Sequence, residues 1–511
     1  MKNNNIFEKL IVLDLANNHF GDLKFAKKII KEFSKVIKRQ ILNTTIKFQF
    51  RDLPNFVHEN YRDSQIPYVR RFLDTKMSDK DFLDLFNYIK KNKIKTSCTP
   101  FDEKSVDKIE KFKFDFIKIA SVSALDFNLH ERVIKNSIPK IISTGGIKIN
   151  DIDRIVSFYS KRKQKFALMH CVSIYPTENQ HLNLDFIRNL KSRYEDIKIG
   201  WSTHESPDEF LPAALALSKG ASMFEKHIGI IDKKYKLNKY SITPDIFEKW
   251  IKNLKKAEDM IGSYYKKIYP QEIETINKLS RGVYIKNTTK SNNILNKKNI
   301  YFAFPKIDGQ LASQDLKKLT QVNKKLIKNQ PVLKKDIILN KDLIINDRIY
   351  SYLHKAKAML NYNNIKVGEK FDMEISHHNG IKNFTKVGCF LINIVNQEYA
   401  KKLIIMLPNQ KHPSHFHKIK HETFIIISGN LKLNDNGKIY NLSSGDSVNL
   451  KKGGWHEFKA GNKGCIFEEI STTSFKNDSF YKNRNIKKLK RDNRKTYINN
   501  WFGLRGSLKI N

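Results

Sequence analysis

Cysteine is scarce: four in 511 residues, at Cys98, Cys171, Cys389 and Cys465, with no CxxC pair among them. That spacing gives no disulfide framework and fits separate, reduced, buried thiols, so a cytoplasmic location is expected. Long apolar runs are missing as well. Charges interrupt every stretch before the ~18 residues that a membrane span requires, which excludes a membrane partner at the level of sequence. The opening MKNNNIFEKLIVLDLANNHF has a short apolar segment broken by Asp14 and lacks a small-residue cleavage site, so it does not read as a signal peptide. Acidic residues are also few: 52 Asp and Glu stand against 94 Lys and Arg, a net charge of +42. The excess is spread along the chain among Asn and Ile, and only Lys482–Lys495 (KNRNIKKLKRDNRK) is a dense basic run. That run reads as a solvated tail, and nucleic acid is not an expected partner. A general positive field still draws in anionic substrates.

What is present is a rhythm. A chain of this length divides into about two to four domains. Apolar runs of strand length occur at 11–17, 46–50, 95–101, 116–121, 140–145, 166–173, 198–204 and 221–227, with helical patterns between them. In Asp22–Arg39 the apolar residues Phe25, Ile29, Phe33 and Ile37 mark one helix face. Ser206-Pro-Asp-Glu209 reads as a capping box with Pro at the first helical position, and Thr243-Pro-Asp opens a helix reaching Met260. Such a series over ~260 residues has the size of an α/β fold of the TIM (β/α)8 type, with a doubly wound sheet as the competitor.

The strand ends favour closure. They collect Asn18/His19, Lys47/Gln49, Thr99, Lys118/Ser121, Ser143/Thr144, His170/Ser173, Ser202/His204 and Glu225/Lys226/His227. These converge on one mouth only if the sheet closes, and in a barrel that mouth is the active site. Lys47, Lys118 and Lys226 with Ser121, Ser143, Ser173 and Ser202 suit a small phosphate-bearing acid. His204 and His227, on neighbouring strands, suit a divalent metal; the competing reading is a pair of hydrogen-bonded barrel residues.

The motifs Asn18-His-Phe-Gly-Asp22, Lys47-Phe-Gln49, Ser97-Cys-Thr-Pro-Phe-Asp102, Lys118-Ile-Ala-Ser121, Ser143-Thr-Gly-Gly146, His170-Cys-Val-Ser-Ile-Tyr-Pro176, Trp201-Ser-Thr-His204 and Glu225-Lys-His227 occur in this order. In them the first ~340 positions resemble the sialic acid (N-acetylneuraminate) synthase family. The resemblance implies a metal-dependent condensation of phosphoenolpyruvate with an N-acyl aldose. It implies Mn²⁺ on His204 and His227, and phosphoenolpyruvate on Lys47, Thr99, Lys118, Ser121, Ser143, Ser173 and Ser202. Asp14, Gln49 and Tyr175 fall near the sugar or the reacting carbons, Asp14 in place of a usual Glu, and Glu225 is a further candidate for orienting water or taking a proton. Lys226 and Asn238, the latter in the segment Tyr235–Ser241, are added as substrate contacts. The sugar end departs from the family: Ser123 stands where an acidic residue is usual, Tyr235–Ser241 replaces an Asp-containing segment, and Phe304 takes the place of an Arg. The same reaction on a different sugar is therefore expected.

After the barrel (1–265) a linker around 263–280 leads to a segment (281–340) that looks like the small antifreeze-like SAF domain of that family, which implies a homodimer. From 350 to 480 short strands alternate with turns. There His415-x-His417, Glu422, Gly429, Gly445, Gly453 and His456 resemble a cupin barrel, with Mn²⁺, Fe²⁺, Zn²⁺ or Ni²⁺ as the implied metal. The run Phe467–Ser474 with Asn477–Tyr481 looks like sugar isomerases of the D-lyxose isomerase kind. His412 and His421 have no ligand place and read as surface residues. Residues 481–511 read as the basic tail.

Overall fold

The computed structural model describes residues 6–316, 320–339, 345–368 and 371–499. Two compact units divide the chain, one ending at Lys267 and one beginning at Ile268.

In the first unit eight parallel strands close into a barrel: β1 (Leu10–Asp14), β2 (Thr44–Phe50), β3 (Lys95–Pro100), β4 (Phe116–Ile119), β5 (Lys140–Ser143), β6 (Phe166–Cys171), β7 (Lys198–Ser202) and β8 (Met223–His227). Each pairs with the next, and β8 returns to β1 with Asp14 opposite His227. The expected TIM barrel is the observed one. Side chains alternate faces along a strand, so every strand serves two environments. Outward residues such as Ile11, Leu13, Ile46 and Phe48 pack against the helices in the main core. Inward residues Leu10, Val12, Phe116, Ile141, Ala167, Met169 and Met223 form a separate apolar plug. That plug fills the N-terminal half of the barrel and leaves polar residues at the C-terminal mouth.

The helix over Leu23–Gln40 buries Phe25, Ile29, Phe33 and Ile37, and Asp22 caps it by accepting from Phe25 N–H at 3.0 Å. Thr243 precedes the helix Pro244–Ile261. The capping box at Ser206–Glu209 does not form. Ser206 Oγ bonds the Asp208 side chain instead of a backbone N–H, and the helix starts later, at Leu211, with Pro212 in its first turn. The expected linker 263–280 contains a helix, Pro270–Leu279, in which Glu272 accepts from Tyr269 N–H.

After that helix the second unit has two small antiparallel pairs, β9 (Gly282–Ile285) with β10 (Ile300–Ala303) and β11 (Thr320–Val322) with β12 (Ile337–Leu339). Val283, Ile285, Leu311, Val322 and Val332 share its small core. A helix over Ile345–Tyr362 follows and buries Ile349, Leu353, Ala356 and Leu360 against the sheet beyond it. That sheet is antiparallel and built from β13 (Met373–Ser376), β14 (Cys389–Asn396), β15 (Tyr399–Met406), β16 (Lys411–Phe416), β17 (Glu422–Asp435), β18 (Lys438–Ser443), β19 (Ser447–Leu450), β20 (His456–Thr472), β21 (Phe480–Tyr481) and β22 (Lys495–Ile498).

The basic run Lys482–Lys495 is solvated only in part: Lys482, Arg484, Lys487, Lys488 and Lys490 are exposed, but its end is tied into the fold. β22 pairs with β13, and Lys495 and Arg491 both bond the buried carboxylate of Glu374. The reason is complementary need: β13 would otherwise end the sheet with open backbone groups, and a buried carboxylate requires cations. Among the described residues no helix is long and apolar enough to cross a membrane.

Candidate active site at the barrel mouth and a second histidine cluster

Directly above the apolar plug lies a layer of buried charge. Lys47 on β2 bonds Glu225 on β8 and lies 3.0 Å from Asp14 Oδ2 on β1. Lys118 on β4 lies 3.0 Å from Glu225 Oε2 and donates to Ser143 Oγ at 2.6 Å. Gln49 Nε2 donates to Asp14 Oδ2 at 3.1 Å. All four charged residues are at most 4% exposed. Burial would lower the Lys47 amine, but Asp14 and Glu225 outweigh it and hold it above its ordinary value. Burial would raise Glu225, but Lys118 and Lys47 outweigh it and keep it an anion. Lys118, with one carboxylate and a nearby cation, is pulled below its ordinary value, first by burial.

The hydroxyls gather on the other side. Ser121 Oγ accepts from Gly145 N–H at 3.0 Å, and a Cβ on Gly145 would fall 2.5 Å from Ser173 Oγ and 2.7 Å from Ser121 Oγ. Glycine is required there by close approach. Ser202 on β7 sits in register with Glu225 on β8. Thr99 Oγ1 and its neighbour Ser97 Oγ are buried with no protein hydrogen-bond partner. Asn238 donates to Asn18 Oδ1 at 3.1 Å, and Asn18 donates to Ile228 O and Ser241 Oγ, which ties the loop after β8 to the rim.

His204 and His227 come together, their ring centroids 5.3 Å apart. Tyr175 packs 4.2 Å from His204, and Tyr240 stands on edge to both rings. Burial and then His227 hold His204 down to about 3, and burial lowers His227 too, so both rings are neutral imidazoles. His204 Nδ1–H donates to Val172 O at 3.0 Å, which leaves Nε2 as its free ligand atom. His227 Nδ1 is buried without a hydrogen-bond partner, 3.4 Å from Asp14 Oδ2. Two neutral imidazoles beside a carboxylate fit a divalent cation.

Lys226 does not join them. Glu225 and His227 share the inward face, so Lys226 points out of the barrel, where its ammonium donates to Glu205 Oε1 at 2.7 Å and Thr203 Oγ1 at 3.3 Å. His170 also faces outward, against Trp201 and Phe186. Three residues at or behind this mouth escaped the sequence reading: Tyr240, Glu205 and Arg51. Arg51 had a signal, since Lys47, Gln49 and Arg51 continue one period-two series.

In the second unit His415, His417 and His456 place ligand nitrogens within 4.8 Å of one another. His415 Nδ1–H donates to Pro413 O at 3.1 Å, His456 Nδ1–H to Gly454 O at 3.1 Å and His417 Nδ1–H to Asp478 O. Every ring is thereby oriented with Nε2 as its lone-pair atom; His415 Nε2 and His456 Nε2 lie 3.1 Å apart, and Glu422 oxygens lie 3.5 Å from His417 Nε2 and 3.4 Å from His456 Nε2. This donor set fits a divalent metal well. Lys420 bridges Glu422 and Glu469 at 2.6 and 2.7 Å, and Lys402 reaches Glu469 at 2.8 Å, in a cavity of about 540 Å³. His412 is not on the surface: it stacks on Phe458 and its Nε2 lies 3.1 Å from His378 Nε2, because β16 turns its ring into the barrel interior. His421 is exposed, as expected.

Comparison with known proteins agrees with both halves. Residues 34–266 match the NeuB family, and residues 402–467 match the cupin domain. The uncharacterized protein MJ1065 of Methanocaldococcus jannaschii is 30% identical over 298 residues, covering 58% of this chain and 84% of that one. The N-acetylneuraminate-9-phosphate synthase of Drosophila melanogaster is 30% identical over 237 residues, 44% of this chain and 61% of the relative. A crystal structure from Chromobacterium violaceum, of a protein assigned as spore coat polysaccharide biosynthesis protein E, superimposes with a TM-score of 0.60 at 33% identity, over 65% of this chain and all of that one. With a cupin domain in its second unit, the chain belongs to the NeuB family.

Proposed function

We propose that the barrel condenses phosphoenolpyruvate with an aldose, N-acylated as in an N-acetylmannosamine-like sugar, to give a nonulosonic, sialic-acid-like acid and phosphate. The observation that carries this reading is the buried Lys47–Glu225–Lys118 array beside two neutral imidazoles, in a chain whose Drosophila relative is an N-acetylneuraminate-9-phosphate synthase. The enol carbon bonds to the sugar's aldehyde carbon and the aldehyde oxygen takes a proton. Water adds at the former enol C2, and the C–O bond to phosphate breaks, leaving a keto acid. A divalent ion on His204 and His227, Mn²⁺ by family resemblance, would polarise the aldehyde oxygen. Lys47 and Lys118 hold the anionic reactant and neutralise the leaving phosphate. Thr99, Ser121, Ser143, Ser173 and Ser202 supply hydrogen bonds that fix its orientation. Glu225, kept ionised, orients the attacking water, and Asp14 with Gln49, Tyr175 and Asn238 faces the sugar.

The segment 281–340 is read as a SAF-like domain of a homodimer, and 350–480 as the cupin. A non-acylated aldose or its phosphate is the alternative acceptor, and a non-catalytic carbohydrate-binding barrel is the alternative class. The decisive assay is phosphate release from phosphoenolpyruvate with Mn²⁺ and a panel of aldoses. Sugar-dependent release, lost in a His204→Ala plus His227→Ala variant, is the expected result. Absence of release together with absence of phosphoenolpyruvate binding by calorimetry sinks the reading.

For the second unit the converging Nε2 atoms favour a metal-dependent sugar site, on His415, His417, Glu422 and His456. Mn²⁺, Fe²⁺, Zn²⁺ or Ni²⁺ there would polarise sugar oxygens. Lys420 and Glu469 lie within reach of a bound polyol and can hold its hydroxyls. Exchange of the C1 or C2 hydrogen of an aldose with solvent deuterium separates an isomerase of the D-lyxose isomerase kind from a binding module.

A further inference from the structure

On β2 the inward positions run Lys47, Gln49 and then Arg51 just past the strand, with about 6.6 Å between successive members. Lys47 sits in the ion array, Gln49 donates to Asp14, and Arg51 Nη2 donates to Gln49 Oε1 at 3.3 Å. The three mark a line from the buried ion array outward. At its far end the guanidinium is clamped between two rings, 3.6 Å from the centroid of Phe101 and 4.0 Å from that of Phe72. Its Nε is buried with no hydrogen-bond partner, and among the described residues no carboxylate lies within ion-pair distance of it. Asp102 beside it is already engaged, accepting from Ser105 N–H and Asp52 N–H at 2.7 Å each.

Arg51 and Gln49 line a common cavity of about 700 Å³. Lys104 and Lys108 on its wall are neutralised by Asp52 and Asp79, whereas Lys76 and Lys80 have no ion-pair partner among the described residues. A desolvated, pre-oriented guanidinium without an ion pair of its own, facing a cavity where five lysines stand against three aspartates, is built for an anion. We propose that the acceptor sugar carries an anionic group, a phosphate or a carboxylate, at the end remote from its aldehyde, and that Arg51 binds it. This rests on the synthase reading above. It assigns to the altered sugar end of the site a substrate class: a sugar phosphate or a sugar acid.

Alditols test it without turnover, since they lack the aldehyde. Mannitol, mannitol 1-phosphate and mannonate are titrated calorimetrically into the full chain with Mn²⁺ and phosphoenolpyruvate. One charged alditol is expected to bind at least about tenfold tighter than mannitol, a gap of about 1.4 kcal/mol; which of the two gains more identifies the group. In Arg51→Met the advantage should collapse below about twofold while phosphoenolpyruvate affinity is kept, and Arg51→Lys should retain part of it. Lys80→Met, on the exposed rim, should lose a smaller share, and it serves if Arg51→Met fails to fold. Equal binding of charged and neutral alditols by the wild type, or an advantage that survives in Arg51→Met, overturns the proposal. If the wild type does not bind phosphoenolpyruvate, the synthase reading fails instead, and the same titrations without phosphoenolpyruvate still decide the role of Arg51.

Discussion

Glu225 reaches Lys47 and Lys118 inside the barrel, while Lys226, one residue on, meets Glu205 outside it. Both pairs are almost fully buried, but they answer to different needs. The inner carboxylate shares two lysines at the C-terminal end of the barrel strands. The outer pair has only each other and Thr203, behind His204 and His227. Removing one partner of such a pair leaves a lone buried charge, so Glu205→Ala should cost about 3–5 kcal/mol of stability. Adding Lys226→Met should recover most of it; calorimetric unfolding of the two variants checks this. His19 gives a pH-dependent case. Burial holds its imidazole down to about 4, against an ordinary value near ~6.5. The unfolded chain therefore takes up a proton first as pH falls. Stability from this residue is complete above ~6.5 and is lost as pH drops through about 4, in all about 3 kcal/mol. His19→Asn keeps an acceptor for Gly21 N–H and should be less acid-sensitive by that amount in denaturant titrations between those values; parallel curves would refute the assignment.

At the scale of elements, the long pair β17–β20 shows how glycine permits the second unit's shape. Register shifts occur at Ile426/Ser428 and Gly429/Leu431, and Gly429 has φ +82° with Gly464 O only 2.2 Å from where a Cβ would stand. Gly429→Ala combines left-handed strain of about 1–2 kcal/mol with overpacking of about 1–3 kcal/mol. Gly437, in the β17–β18 turn at φ +90°, has nothing within 4 Å of that position, so Gly437→Ala should cost only the strain. A larger fall in melting temperature for the first variant than for the second is the expected outcome. The strands themselves were legible, because apolar runs, period-two alternation and turn residues are local signals. The pairing of β22 with β13 was not, since Lys-rich sequence looks solvated unless a buried partner such as Glu374 is known.

At the scale of the whole molecule, two units with separate cores should unfold in two calorimetric transitions. A ligand held at 1,000 times its dissociation constant adds about 4 kcal/mol to the unit that binds it. With saturating Mn²⁺, EDTA should therefore lower a transition that no longer responds in a His415→Ala plus His456→Ala variant, while the other transition keeps its behaviour. A single transition, or an unchanged response in that variant, would contradict this. The charge of +42 says nothing about either fold, but it lends weight to anionic reactants at both scales of argument.

From the amino-acid sequence alone came the eight strands, the polar residues at their ends, and the histidines at 204, 227, 415, 417 and 456. These depend on patterns among near neighbours, and such patterns survive without coordinates. Tertiary structure decided which way Lys226 faces, what Glu205 and Arg51 touch, that His412 is buried, and that residues 495–498 complete a sheet. Those outcomes turn on partners far away in sequence. A buried charge is placed by its counter-charge and an edge strand by whatever covers it, and neither is written next to the residue it controls.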